Sequence, residues 1–178
     1  MDGAAGDFDE ITLLALRARR GDTAAASAFV RATQADVWRL CVALGSSQLA
    51  DDLTQDTYAR AFASLHRFQG RSAARTWLLS IARRACADAV RSAVRERQLP
   101  ASTSRAEADP SGGVAMRMLV SSLEPARREA LVLTQVLGLS YAEAADVLSC
   151  PIGTIRSRVA RARTDLMDGL GGQAAALG

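Results

Sequence analysis

The stretch from residue 98 to residue 113 limits most strongly how this chain of 178 residues can fold. It reads QLPASTSRAEADPSGG and holds two prolines, two glycines and four serines or threonines, with almost no apolar residues. Such a composition is typical of a flexible linker. It leaves roughly 90 residues before it and roughly 60 after it, so each part must build a small core of its own. We therefore expect two domains, at residues 10–97 and 117–170, joined by a linker at 98–116.

The residue pattern on both sides of the linker is helical. Alanine and leucine dominate the chain while β-branched residues are sparse, which favours helices over strands. Val37, Leu40, Cys41 and Leu44 are spaced i, i+3, i+4, i+7, as on one face of a helix. The expected fold is therefore all-α, with two small helical domains joined by a flexible linker. Helices are expected around residues 37–44, at 49–65 and at 74–97 in the first domain, and at 124–137, 140–148 and from 151 onward in the second.

Two helices near the C-terminus are joined by a tight turn. Ser140 and Glu143 have the spacing of a capping box, which begins a helix, and Pro151 favours the start of the next one. Only Ser149 and Cys150 lie between these helices. The segment therefore predicts a helix-turn-helix, a motif whose second helix enters the major groove of DNA.

The side-chain inventory excludes several kinds of catalytic and metal site. His66 is the only histidine, and Cys41, Cys86 and Cys150 are far apart without a CxxC, so neither a zinc site nor histidine-dependent catalysis is expected. All 22 basic residues are arginine, which excludes lysine-dependent chemistry such as the P-loop. We expect no cofactor, no metal and no enzymatic activity. Cys41 and Cys86 are expected to be buried thiols, and His66 a surface residue.

The chain also lacks the features of a membrane or secreted protein. No segment reaches the roughly 18 apolar residues that a membrane-spanning helix needs. The N-terminal residues, MDGAAGDFDE, are acidic where a signal peptide would be basic. We therefore expect a cytoplasmic protein without a membrane partner.

Charge alternates in sign along the chain. Residues 1–66 carry 6 arginines and 9 acidic residues, whereas residues 67–97 carry 8 arginines and 2 acidic residues. Residues 98–149 carry 4 arginines and 6 acidic residues, and residues 150–178 carry 4 and 2. Two basic segments that alternate with acidic ones indicate a protein that contacts nucleic acid at two places.

The basic helix of the second domain, PIGTIRSRVARAR, has a face that fits a major groove. On a wheel of about 100° per residue its apolar residues form one stripe, and Arg161 lies opposite them among small residues. Arg161, with Arg156 at the edge, is placed to contact guanine, while Arg158 and Arg163 at the margins are placed to contact phosphate or to pack. A solvated surface helix is the simpler alternative, although residues 150–163 contain no acid. The predicted core stripe is Ile152, Ile155, Val159, Ala162 and Leu166, and the exposed face includes Thr154 and Ser157.

The basic helix of the first domain carries a tryptophan at the head of a row of charges. Trp77, Arg84, Asp88, Arg91 and Arg95 fall within roughly 40° of one line on a helical wheel. Such a row favours single-stranded nucleic acid, because an indole stacks on a base while guanidinium groups hold the backbone. The preceding loop, FQGRSAAR, is able to accommodate a base turned out of the stack. Periodicity alone also allows Trp77 to be an ordinary core residue.

An acidic helix in the first domain has two interpretations. Asp51, Asp52, Gln55 and Asp56 lie in its first turns, where helix capping and the helix dipole favour negative charge. The same residues also form a poor nucleic-acid surface and a plausible docking face for a basic protein partner.

Three segments of the chain follow the order and spacing of one known family. They are ADDLTQDTYARAF, FQGRSAARTWLLSIARRACADAVR and LEPARREALVLTQVLGLSYAEAADVLSCPIGTIRSRVARAR. They resemble, in turn, the core-polymerase-binding helix, the −10-element segment and the −35-binding helix-turn-helix of extracytoplasmic-function sigma factors, a class of the bacterial sigma-70 family. The resemblance spans about residues 10–170. ATQADVW, DDLTQDT and GTIRSRVARAR are most similar to the actinobacterial sigma factor C group.

The resemblance implies a subunit that binds core RNA polymerase and directs it to promoters. The first domain would be sigma region 2 and the second sigma region 4. The implied partners are the β′ clamp helices and β flap of the polymerase and promoter DNA, with an anti-sigma protein as a further candidate. The loop from Phe68 to Ala74 would capture a flipped −10 base. The implied sites are Asp51, Asp52, Gln55 and Asp56 for polymerase; Phe68, Arg71, Ser72, Arg75, Trp77, Arg84, Asp88 and Arg91 for the −10 element; and Tyr141, Thr154, Arg156, Ser157, Arg158 and Arg161 for the −35 element.

A stand-alone helix-turn-helix regulator is the alternative function. It explains residues 140–163 but gives no role to the Trp77 row or to the acidic helix. Such regulators usually dimerise, and the chain has no heptad pattern. An enzyme acting on nucleic acid has less support still, because only Asp51 and Asp52 form a carboxylate pair.

Overall fold

The computed structural model describes the backbone of residues 8–97 and 113–176, and the side chains of residues 8–95 and 118–170. Residues 98–112, most of the linker predicted at 98–116, lie outside the described residues. The chain divides into two compact units, Met1–Cys86 and Ala87–Gly178. The described residues are helical and contain no strand, so the predicted all-α class is confirmed.

Helices α1 to α4 begin in the first unit. They are α1 (Glu10–Arg19), α2 (Thr23–Leu44), α3 (Ala50–Ser64) and α4 (Ala74–Arg97), with a single 3₁₀ turn at Leu65–Arg67. The sequence pattern placed α2 only near its C-terminal end and did not predict α1. Both helices have an aspartate cap: Asp9 accepts from the backbone N–H of Thr12 and Asp22 from that of Ala25. The core of the first unit includes Phe29, Val37, Leu40, Leu78 and Leu79, all at most 1% exposed.

The second unit contains α5 (Gly113–Ser122), α6 (Pro125–Leu131), α7 (Tyr141–Leu148) and α8 (Ile152–Ala176), with a π turn at Val132–Val136 after α6. Three helices were expected here, and α5 is an additional one that begins inside the stretch assigned to the linker. Leu123, Leu131 and Ala162 form a buried cluster with Leu166 packed against it. An ion pair of 2.7 Å between Arg127 and Asp165 also joins α6 to α8.

The predicted core stripe of α8 is confirmed at three positions and wrong at one. Ile155, Val159 and Ala162 are buried to 1% exposure or less, and Leu166 is half-buried. Ile152, by contrast, is 46% exposed. It is the first residue of α8, and helical periodicity cannot tell where along a helix the neighbouring helices begin to cover it.

Among the described residues, no helix is long and apolar enough to span a lipid bilayer.

Candidate functional site

The capping box predicted at the start of α7 is confirmed. The Ser140 hydroxyl accepts from the backbone N–H of Glu143 at 3.2 Å, and the Glu143 carboxylate accepts from the backbone N–H of Ser140 at 2.8 Å. α7 ends at Ser149, which has the left-handed values φ 50° and ψ 48°. Cys150 donates its N–H back to the Ala145 carbonyl at 3.1 Å. This tight turn leads directly into Pro151 and α8, so a helix-turn-helix is present.

The face of α8 away from the core carries the residues predicted to contact the −35 element. Arg156, Ser157 and Arg161 are exposed, and Thr154 is half-buried. The Ser157 hydroxyl donates to the Thr154 carbonyl at 3.0 Å, so it lies close to the helix backbone. Tyr141 lies on α7, at the first residue of that helix, and is half-buried. The exposed face therefore combines two exposed arginines with small neighbours, a shape that a major groove can admit.

The two marginal arginines of α8 have partners within the second unit. Arg163 donates to the Gln135 side-chain oxygen at 2.8 Å, and Arg158 places a guanidinium nitrogen 3.8 Å from the Cys150 sulfur. Both side chains are thereby oriented towards neighbouring elements. On the wheel Arg163 lies only about 20° from Arg156, so this contact with Gln135, and not the periodicity, distinguishes Arg163 from Arg156.

The loop before α4 has a buried anchor. Phe68 is only 4% exposed, and its ring lies 4.9 Å from that of Trp77, centroid to centroid, at 38°. Trp77 is half-buried, so it packs on Phe68 while part of its indole faces outward. Trp77 is therefore partly a core residue, and stacking of its exposed part on a base stays a prediction. In the same loop Arg71 is exposed and Ser72 half-buried.

The charged residues of α4 differ in how they are held. Arg75 lies 2.7 Å from the Asp36 carboxylate of α2, with the two side chains 27% and 20% exposed. Arg84 is exposed, and farther along α4 the exposed Asp88 and Arg91 form an ion pair with each other. Arg75 is thus part of the packing between α2 and α4, whereas Arg84 is directed into solvent.

The acidic residues of α3 form an open surface. Asp51, Asp52 and Gln55 are exposed, and Asp56 pairs with Arg60 one turn later at 2.8 Å. The N-cap residue of α3 is Leu49, whose side chain makes no cap bond, so none of these acids stands at the N-cap position. Their structural roles are the favourable dipole at the helix start, the Asp56–Arg60 ion pair and a hydrogen bond that Asp51 accepts from Trp38.

Trp38 is a surface residue that the sequence pattern did not single out. Its side chain is 45% exposed, and its indole N–H donates to the Asp51 carboxylate at 3.0 Å. Leu49, at the start of α3, is 43% exposed. Helical periodicity could have predicted that Trp38 is exposed. It directly follows the buried Val37 and therefore lies about 100° away from the apolar stripe of α2.

The histidine and the cysteines lie apart from these surfaces. His66 is exposed and Cys41 and Cys86 are buried, as predicted. A hydrogen bond with Cys86 lowers the pKa of the Cys41 thiol, and burial opposes that shift. Cys150 is half-buried. No group of three or more metal-ligating side chains occurs in the part of the chain that the structure describes.

Comparisons with known proteins agree with this geometry. The family models "Sigma-70 region 2" and "Sigma-70, region 4" match residues 29–96 and 113–166. The chain is 47% identical over 176 residues to "ECF RNA polymerase sigma factor SigC" of Mycobacterium tuberculosis and to "Probable RNA polymerase sigma-C factor" of Mycobacterium bovis. Each match covers 94% of this chain and 95% of the relative.

Two solved structures are similar in fold. The sigma factor RpoE of Bartonella quintana, solved with the anti-sigma factor NepR, gives a TM-score of 0.69 at 30% identity over 80% of this chain and 94% of that one. CnrH, solved with the cytosolic domain of CnrY, gives 0.76 at 26% identity over 92% and 99%. One assignment follows from their fold, from the two family matches and from the extent of the mycobacterial match. The chain belongs to the extracytoplasmic-function class of the sigma-70 family of RNA polymerase sigma factors, which are transcription initiation factors and not enzymes.

Proposed function

We propose that this sigma factor docks on the β′ clamp helices of core RNA polymerase through an acidic surface on α2 and α3. This surface consists of Asp51, Asp52, Gln55 and Asp56, with Trp38 at its edge. The observation that carries the proposal is its exposure: Asp51, Asp52 and Gln55 face solvent, and none of the four is the N-cap residue of α3. The exposed negative charge of Asp51 and Asp52 is available to a basic partner, whose approach it steers.

The promoter contacts are assigned to two arginine-bearing surfaces. On α8, Arg156 and Arg161 are positioned to contact base edges of the −35 element, with Thr154 and Ser157 beside them and Tyr141 near the backbone. Arg158, which is half-buried against the turn, is assigned to phosphate. The β flap of the polymerase is a further proposed partner.

At the −10 element, the loop from Phe68 to Ala74 receives an unpaired base beside the open part of Trp77. Arg71 and Ser72 line the loop, and Arg84, Asp88 and Arg91 follow along α4. Because Phe68 is buried and Arg75 is paired with Asp36, we assign these two residues to holding the loop and α4 in place for DNA.

The protein acts in the cytoplasm. The Bartonella relative was solved with an anti-sigma factor, and we extend that partner class to this chain.

Reversal of one charge on the acidic surface tests the docking site. Asp52→Arg should weaken binding to core polymerase at least tenfold, because it places a cation against a basic partner. Glu10→Arg is the matched control, since it reverses an exposed acid in the first turn of another helix of the same unit. Affinity is measured by titrating labelled protein with core polymerase. Equal affinity of wild type and Asp52→Arg, or an equal loss in both variants, would overturn the assignment.

A further inference from the structure

Helix α1 lies outside the region-2 match, which begins at residue 29, yet it contacts the loop proposed to receive the −10 base. Its Thr12 is a polar residue buried to 1% exposure. A buried hydroxyl needs hydrogen-bond partners, and the partners of this one connect the start of the chain to the start of α4.

The Thr12 hydroxyl caps α4 from a distance of 62 residues along the chain. Its oxygen accepts from the backbone N–H of Ala74, the first residue of α4, at 2.8 Å. The first N–H groups of a helix have no partner within the helix, so this bond satisfies one of them. The hydroxyl in turn donates to the Asp9 carboxylate at 2.7 Å, and Asp9 also accepts from the Thr12 N–H at 3.0 Å. Because its hydrogen points to Asp9, the hydroxyl oxygen is oriented to accept from the Ala74 N–H.

The other parts of the loop also rest on this N-terminal segment. Arg19, at the end of α1, donates to the Phe68 carbonyl at 2.6 Å. Gly70 has φ +72°, and a Cβ at this position would lie 3.2 Å from the Phe8 ring and 3.7 Å from Leu16. The residues before α2 thus contact the beginning, the middle and the end of the loop.

We propose that Thr12 and Arg19 are positioning residues for promoter opening. They hold the two ends of the 68–74 loop, so that it presents a fixed shape to the unpaired base without touching DNA themselves. The inference rests on the proposed role of that loop. Polymerase docking is assigned to a different surface, on α2 and α3, so a defect in the loop should alter opening and leave the affinity for core polymerase unchanged.

The experiment uses Thr12→Val, which keeps the shape of the side chain and removes the hydroxyl. This leaves the Ala74 N–H without its acceptor, and we expect promoter opening to fall about five- to tenfold. Thr12→Ser keeps the hydroxyl and should open the promoter within about twofold of wild type. Arg19→Gln tests the other end of the loop without perturbing the core, since Arg19 is exposed, and should reduce opening about two- to fivefold.

Opening is measured by permanganate reactivity of thymines on a linear duplex from which the wild-type protein and core polymerase initiate. A second template carries a mismatched, already unpaired −10 region, on which we expect the three variants to differ less. Three results would overturn the inference. The first is normal opening by both Thr12→Val and Arg19→Gln, and the second is an equal loss in Thr12→Ser and Thr12→Val. The third is a parallel loss of affinity for core polymerase. If the wild-type protein itself opens no promoter with core polymerase, the proposed function fails instead.

Discussion

Replacing Trp38 by alanine removes the largest exposed apolar group at the edge of the acidic surface. A large aromatic side chain presents up to about 250 Å² of surface. At 45% exposure roughly 110 Å² of the indole remains available to a partner. At about 25 cal/mol per Å², its complete burial would contribute up to about 3 kcal/mol. Because association also costs side-chain entropy and desolvation, we expect a loss of about 1–2 kcal/mol, or about five- to thirtyfold in affinity for core polymerase.

The assay compares three variants by titration of labelled protein with core polymerase. Trp38→Phe keeps an aromatic surface but loses the N–H that donates to Asp51, so we expect an affinity between those of wild type and Trp38→Ala. Leu13→Ala is the matched control, because Leu13 is 49% exposed and belongs to α1, a helix that contributes no residue to this surface. Binding by Trp38→Ala within twofold of wild type, or an equal loss in Leu13→Ala, would refute the role assigned to Trp38.

Three further predictions concern the recognition helix, a glycine and the thiols. Arg161→Ala should cost about 1–3 kcal/mol at one −35 position; competition binding of the holoenzyme to promoter variants measures this, and uniform weakening across sequences would identify a phosphate contact instead. Gly138→Ala should destabilise the protein by about 1 kcal/mol in a denaturant titration, because φ is +68° there and nothing lies within 4 Å of an added Cβ; unchanged stability would contradict this purely conformational cost. Cys150 should react first with a thiol reagent, and Cys41 and Cys86 only on unfolding, since they are buried; more than one fast thiol in the native protein would be inconsistent with their burial.

The elements that the sequence predicts well depend on neighbours in the chain. Ser140 and Glu143 define the start of α7 because a capping box is made within one helical turn. The spacing of Ile155, Val159 and Ala162 identifies the buried face of α8 for the same reason. The wheel also places Arg161 opposite the apolar stripe, and Arg161 is exposed; it does not separate Arg156 from Arg163, which lie about 20° apart on it.

The contacts that the sequence does not predict join residues distant in the chain. Thr12 caps Ala74 from 62 positions away, and Arg75 pairs with Asp36 across 39 positions. No periodicity connects such residues, so neither the cap of α4 nor the structural role of Arg75 is visible before the helices are packed. The short helices α1 and α5 were missed because ten residues give a weak helical period, and their stability depends on packing.

The central claim is that this protein directs RNA polymerase to a defined set of promoters. The most direct test is transcription of fragmented genomic DNA by purified core polymerase, with and without the protein, followed by mapping of the transcript start sites. We expect discrete start sites that share a −35 and a −10 sequence and that disappear when Asp51 and Asp52 are both replaced by arginine. The same start sites in the absence of the protein would contradict the claim.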